Sequence, residues 1–151
     1  MPGLAVPDFE LPATGNKTIR LTDLTGHILV LYFYPKDSTP GCTTEGEDFR
    51  RLHAEFAAHN AVVLGVSRDS LKSHENFKCK KDFPFDLISD SEEKLCAAFD
   101  VIKQKNMYGK LVRGIERSTF VIAPSGLVQR EWRGVKVPGH VQDVLEFVKT
   151  L

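Results

Sequence analysis

Seven consecutive residues, Ile28-Leu-Val-Leu-Tyr-Phe-Tyr34, are apolar and rich in β-formers, which predicts a strand buried on both faces. Residues 35–41 break that run. A helical stretch to about residue 58 follows, with Phe49, Leu52 and Phe56 at helical spacing. Residues 61–67 predict a second buried strand, residues 70 to about 82 a helix, and residues 85–88 a short strand. Residues 89–93 read as a helix start, with Asp90 and Glu93 three positions apart as a capping pair, and that helix runs to Phe99. Residues 118–123 and 127–132 predict a hairpin around Pro124-Ser-Gly126. The tail, residues 140–151, carries Val141, Val144, Leu145 and Val148 on one face of a final helix. Strands alternating with helices, closed by a hairpin and a helix, imply an α/β layer fold with a central mixed sheet flanked by helices. Ligands of such sheets sit beyond the carboxyl ends of the strands. The segment after Tyr34 is therefore the first place to look for chemistry.

Length and charge narrow the function. At 151 residues, without repeat or linker, the chain is expected to form one domain over residues 1–151. Twenty basic residues balance twenty acidic ones, which argues against nucleic acid or an anionic membrane as the main partner. The longest apolar run, seven residues, is far short of a membrane span, and the first residues lack a secretory signal pattern. Three cysteines at irregular spacing make no disulfide framework. A cytoplasmic protein is expected, with cysteines that are either inert core residues or reactive thiols.

Cys42 is the cysteine whose surroundings speak for reactivity. Thr39 suits an N-cap and Pro40 the first helical position, so Cys42 falls third, in the first turn. Unpaired amides and the positive end of the helix dipole there favour a thiolate. Thr39 and Cys42 share one helix face, so the hydroxyl can reach a ligand held at the sulfur. Glu45, a turn further along that face, could anchor a cation. A buried cysteine acting as a small hydrophobe accounts for the same position equally well.

The stretch Pro35-x-x-x-Thr39-x-x-Cys42 resembles the peroxiredoxin active-site motif. The wider Tyr32-Phe-Tyr-Pro-Lys-Asp-x-Thr-Pro-Gly-Cys-Thr43 is similar to the Q subfamily, also called bacterioferritin comigratory protein. The likeness extends to Val6-Pro-Asp-Phe9, Gly65-Val66-Ser67 with Asp69, Lys105-Asn-Met-Tyr-Gly109 and Gly114-Ile-Glu-Arg-Ser-Thr-Phe120. It implies a thioredoxin-like fold in its peroxiredoxin variant, and a peroxidase that needs no cofactor. Its substrates would be hydrogen peroxide and organic hydroperoxides, its reductant thioredoxin or another thiol, its state a monomer. Cys42 would be the peroxidatic thiolate and Thr39 a hydrogen-bonding partner of the peroxide. Pro35 would shield the sulfur, Arg117 would stabilise thiolate and leaving oxygen, and Glu45 would orient Arg117. Without the resemblance, Arg117 reads as an ordinary solvated arginine.

The sulfenic acid formed on Cys42 needs a second thiol to remove it. The subfamily places that cysteine either five residues on, where this chain has Glu47, or in the next helix. Cys79 lies in that helix, one residue past the usual site, which Lys78 occupies. It lies about 200° around the helix from Phe77 and is flanked by Lys78, Lys80 and Lys81. Either Cys79 resolves Cys42, or an external thiol does so directly. Cys96 reads as core packing between Leu95 and Phe99. The five histidines are scattered and pair with no cysteine at ligand spacing, so no metal is expected. A non-catalytic redox sensor using Cys42 is the rival function. A thiol–disulfide oxidoreductase is disfavoured, because the chain has no Cys-x-x-Cys.

Overall fold

The computed structural model describes residues 2–151, the side chain of Met107 excepted. The chain opens with a hairpin, β1 (Glu10–Ala13) and β2 (Lys17–Arg20), and a 3-10 turn, Leu21–Leu24. Strands and helices then alternate through β3 (Ile28–Phe33), α1 (Pro40–Ala58), β4 (Ala61–Ser67), α2 (Leu71–Lys81), β5 (Asp86–Ser89) and α3 (Lys94–Ala98). A second hairpin, β6 (Ile102–Met107) with β7 (Lys110–Ile115), forms a separate two-stranded sheet. β8 (Ser118–Ile122), β9 (Val128–Trp132) and α4 (His140–Val148) complete the chain. The main sheet has seven strands in the order β2-β1-β5-β4-β3-β8-β9. It is mixed: β3, β4 and β5 run parallel, while β8 joins β3 antiparallel.

The unbroken apolar run of β3 follows from its central place. Successive side chains of a strand point to opposite faces, and here each face has its own core. Ile28, Val30, Tyr32 and Tyr34 meet Phe49 and Phe56 of α1, Phe77 of α2, and Val141, Val144 and Val148 of α4. Leu29, Leu31 and Phe33 meet Leu64, Val66, Ile88, Leu95, Phe99 and Phe120.

Three features depart from the expectations drawn from sequence. Neither β1–β2 nor β6–β7 was anticipated. β1 and β2 have four residues each and β1 contains Pro12, yet Gly15 and Asn16 both take positive φ and were the available turn signal. β6–β7 turns through Tyr108 and Gly109, again both at positive φ, but its described side chains are mostly exposed or half-exposed, so no alternation betrays it. α3 starts later than residues 89–93. Glu93 sits in the left-handed region at φ 62° and its carboxylate turns to Arg68 and Arg113. Asp90 still supplies the cap, accepting from the backbone N–H groups of Lys94 and Cys96 at 2.8 Å each.

Register brings distant segments to one sheet edge. Phe33 pairs with Ser118 across β3–β8 and with Val66 across β3–β4. The loop after β3, the loop after β4 and the residue before β8 therefore meet. Above them, Phe83, just past the end of α2, packs on Gly46 of α1, where a Cβ would collide with its ring. Gly46→Ala is expected to destabilise the protein by about 1–3 kcal/mol through overpacking, despite the better helix propensity of alanine. Urea unfolding should show this penalty shrinking in a Phe83→Leu background. An equal penalty in both backgrounds would mean the two residues are not coupled.

Candidate active site

Cys42 stands where the sequence places it. Thr39 has extended N-cap backbone, Pro40 opens α1, and Cys42 is its third residue. The Thr39 hydroxyl, however, does not cap the helix: it donates to the Lys36 carbonyl at 2.8 Å. Pro40 lacks an N–H, so one of the usual orphan donors is absent, and the first α-helical bond runs from Thr43 N–H to the Thr39 carbonyl at 2.9 Å. The buried stripe of α1 is Cys42, Glu45, Gly46, Phe49, Leu52 and Phe56, spaced three or four apart apart from one adjacent pair. Both reactive candidates on this helix thus face inward, Cys42 at 2% exposure and Glu45 at 0%. Thr39 is half-buried and Pro35 exposed on the loop outside.

Arg117 closes the site from across the sheet. One arm of its guanidinium, Nη2, donates to Cys42 Sγ at 3.4 Å, and the other, Nη1, donates to Glu45 Oε1 at 2.7 Å. A Cβ on Gly41 would come within 3.0 Å of Nη2, so the cation lies close over the first turn of α1. Glu45 Oε2 and the hydroxyl of Tyr32 are buried without a hydrogen-bond partner among the described residues. Burial, only partly offset by Arg117, pushes the Glu45 carboxyl up to about 7. For Arg117, burial acts downward, but Glu45 and Cys42 outweigh it and raise the guanidinium further. A thiol in the first turn of a helix, a fixed cation at the sulfur and a hydroxyl nearby suit displacement at a polarised O–O bond.

The family model for the AhpC/TSA family matches residues 2–131. The Peroxiredoxin Bcp of Xanthomonas campestris is 58% identical over 142 residues, covering 94% of this chain and 89% of that protein. The Peroxiredoxin Bcp of Bacillus subtilis is 50% identical, covering 99% of this chain and 95% of that one. The chain belongs to the AhpC/TSA family. It is a peroxiredoxin of the Bcp, or Q, kind, and so a thiol-dependent peroxidase. Its thioredoxin-like architecture superposes on a solved structure of the Xanthomonas campestris bacterioferritin comigratory protein with a TM-score of 0.93. That structure shares 55% identity, covers 99% of this chain and 98% of its own, and is described for alkyl peroxide reduction.

The peroxiredoxin's other two thiols differ sharply. Cys79 is exposed, as the helical angle from buried Phe77 requires. It lines a surface cavity of about 280 Å³ with Gly15, Glu75, Lys78, Asp82 and Phe83. Cys96 is fully buried, and burial together with the Asp90 carboxylate pushes its thiol far up, so it stays protonated. All three cysteines are free. Among the described cavities the largest, about 590 Å³, lies between β1 and α3, lined by residues such as Phe9, Leu11 and Leu95 and by no cysteine.

One cluster escaped the sequence reading. Asp37, Asp69 and His74 bring ligand-type atoms within 4.8 Å of one another. The carboxylate of Asp37, the imidazole of His74 and Oδ2 of Asp69 already share hydrogen bonds with Tyr34, Ser67, Ser73, the Ile88 carbonyl and each other. The geometry is that of a closed network rather than a vacant cage. The available signal was His74 four residues from Ser70, an N-cap, which put an imidazole in the first turn of a helix beside the motif loop.

Glu45 should leave a signature in stability. Its folded carboxyl holds a proton up to about pH 7, whereas an unfolded one releases it near 4.3. The proton bound in the folded state therefore stabilises it fully below pH 4, and that stability is lost as pH rises through 7. His140, pushed down to about 4 by burial, acts in the opposite sense as pH falls. The difference between wild type and Glu45→Gln isolates the first effect: wild type should lose about 3 kcal/mol relative to the variant between pH 4 and 8, at about 1.4 kcal/mol per unit. Urea unfolding across that range measures it. A difference independent of pH would place the Glu45 carboxyl at its ordinary value.

Proposed function

We propose that Cys42 is the peroxidatic nucleophile of this peroxiredoxin and that Arg117 is its electrostatic partner. The reading is carried by the 3.4 Å contact from Arg117 Nη2 to Cys42 Sγ. The Cys42 thiolate attacks one peroxide oxygen; the S–O bond forms as the O–O bond breaks, and the departing oxygen takes a proton to leave as water or alcohol. The sulfur becomes a sulfenic acid. Arg117 faces both the thiolate and the charge developing on the leaving oxygen, and Glu45 holds the guanidinium in place. Thr39 already donates its hydroxyl proton to Lys36, so its free lone pairs are what it offers, as acceptor to the peroxide O–H. Pro35, outermost of the group, keeps bulk water from the sulfur.

Cys79 then attacks the sulfenic sulfur, forming a disulfide and releasing the hydroxyl as water, and thioredoxin or a similar dithiol reduces the bridge. A buried thiol and an exposed one on different helices, both free here, are rarely within disulfide reach without rearrangement. The first turn of α1, the end of α2, or both must unwind. The substrates are hydrogen peroxide and organic hydroperoxides, supported by the alkyl peroxide reduction described for the Xanthomonas campestris relative. The enzyme works as a monomer in the cytoplasm; none of its described helices is long and apolar enough to cross a membrane.

Cys42→Ser should abolish steady-state peroxide consumption with a thioredoxin system, and Cys96→Ser should leave it nearly intact. Appreciable turnover by Cys42→Ser would overturn the assignment. Arg117→Ala should slow the single-turnover reaction with peroxide about 10²-fold or more; an unchanged rate would remove its role. Peptide mapping after one equivalent of peroxide should find Cys42 joined to Cys79 within one chain. Sulfenic acid or a mixed disulfide with added thiol in its place would make this a one-cysteine enzyme.

A further inference from the structure

Asp37 lies midway between Pro35 and Thr39, yet its side chain turns inward and is 6% exposed. Its Oδ1 accepts from the Tyr34 hydroxyl at 2.7 Å, and its Oδ2 accepts from the Ser73 hydroxyl at 2.8 Å. Oδ2 also faces His74 Nδ1 at 2.7 Å. The backbone N–H of Asp37 donates to Asp69 Oδ2 at 2.8 Å, and Asp69 Oδ2 accepts from Ser67 as well. His74 is wholly buried, with Nε2 at 2.9 Å from the Ile88 carbonyl. A carbonyl only accepts, so Nε2 carries a proton. Nδ1 faces a carboxylate oxygen, so a second proton lies between the two side chains. As a unit, imidazole and carboxyl are neutral and each polar atom is used.

Neither residue has a hydrogen bond to Cys42 or Arg117, so the chemistry does not consume this pair. Its effect is geometric. A buried polar network is satisfied in few arrangements, and this one ties three elements: the end of β3 through Tyr34, the motif loop through Asp37, and the first turn of α2 through Ser73 and His74. Pro35 and Thr39 sit two residues either side of Asp37 and inherit their positions from it. Cys79 lies five residues beyond His74, past the anchored turn of the same helix.

We propose that Asp37 and His74 are positioning residues for the peroxidase reaction. The pair holds the motif loop and the base of α2 in the geometry for attack, and so acts on two steps in opposite directions. It speeds peroxide attack on Cys42, and it slows the later meeting of the oxidised sulfur with a thiol, which needs that geometry to loosen. The proposal rests on Cys42 being the nucleophile.

The test separates the steps. In a Cys79→Ser background, stopped-flow oxidation by one equivalent of hydrogen peroxide reads attack alone. In chains retaining Cys79, quenched samples read formation of the Cys42–Cys79 disulfide. His74→Leu and, as a milder change, His74→Gln should slow attack about tenfold and speed disulfide formation severalfold. Asp37→Asn keeps a neutral hydrogen-bonded pair, with the amide donating to Nδ1, and should restore both rates to within a few-fold of wild type. A merely structural role would lower the unfolding midpoint of all three variants and move both rates together or not at all. Either result in a folded His74 variant, or a failure of Asp37→Asn to outperform His74→Leu, overturns the proposal. Should wild type form no such disulfide, the Cys79 reading falls separately. The second step is then attack of added thiol on the sulfenic acid, and it must accelerate in His74→Leu for the proposal to stand.

Discussion

A single, largely buried cation is shared by two acceptors one helical turn apart, and the site depends on that sharing. The guanidinium fork of Arg117 spans Glu45 and Cys42 because positions three apart on α1 stand side by side. Without the carboxylate, the longer and freer arrangement would be an arginine turned to solvent, where hydration is cheaper than a buried contact with sulfur. Glu45 makes the buried arrangement the satisfied one. The cost is its own desolvation, visible in a carboxyl pushed up to about 7, and in an Oε2 left without a partner. Removing one member of such a buried pair typically costs about 3–5 kcal/mol. Here that loss is tempered, because Glu45 can take up a proton once Arg117 is gone.

That contact is long-range in sequence, and only sheet register makes it possible. β8 lies antiparallel beside β3 with Phe33 opposite Ser118, so the residue before β8 emerges next to the loop that follows β3. A slip of one residue would turn Phe120 and Ile122 out of their core and Val121 out of the other. The apolar alternation of β8 between two cores thus guarantees the position of a cation that takes no part in either. The same argument holds for Asp69 after β4, which meets Asp37 because β3 and β4 are in parallel register.

The legible part of this fold was the part governed by local periodicity. Continuous apolar strands, the buried stripe of α1 and the amphipathic α4 were readable because burial on a fixed face imposes a period. Cys42 in the first turn was readable from Thr39 and Pro40 alone. Arg117 was not, since nothing local distinguishes an ion-paired arginine from a solvated one; helical spacing put Glu45 on the Cys42 face as a candidate cation anchor, and the family resemblance named the cation. The β6–β7 hairpin went unseen because a ribbon with both faces largely in water needs no hydrophobic alternation. His74 went unseen for a different reason: spacing from the Ser70 N-cap placed it in the first turn of α2, but its partners lie thirty-seven residues before it and fourteen after, so nothing local marked it as part of a network.

The two helices that carry the exposed and buried thiols are fastened in two physically different ways. Near their first turns each is held by a polar pair, Glu45 to Arg117 on α1 and His74 to Asp37 on α2. Such bonds are directional and weaken steeply as their angles bend. Past the C-terminal end of α2 the contact is aromatic: Phe83 sits against Gly46 of α1, edge-on to Phe77 of α2 and stacked on Phe85. Dispersion contacts of this kind fall off steeply with distance, but each is small and can be exchanged among neighbouring rings. A rearrangement that starts at the aromatic end of α2 can therefore free Cys79 while the polar bonds at the sheet edge still hold. One that reaches Cys42 must break the Arg117 contact to sulfur. If Cys42 reacts as proposed, conversion of its thiolate to a neutral sulfenic acid would remove the charge that strengthens that contact. On the proposed mechanism, oxidation itself is thus the event that loosens the buried end, after the geometry it required has served its purpose.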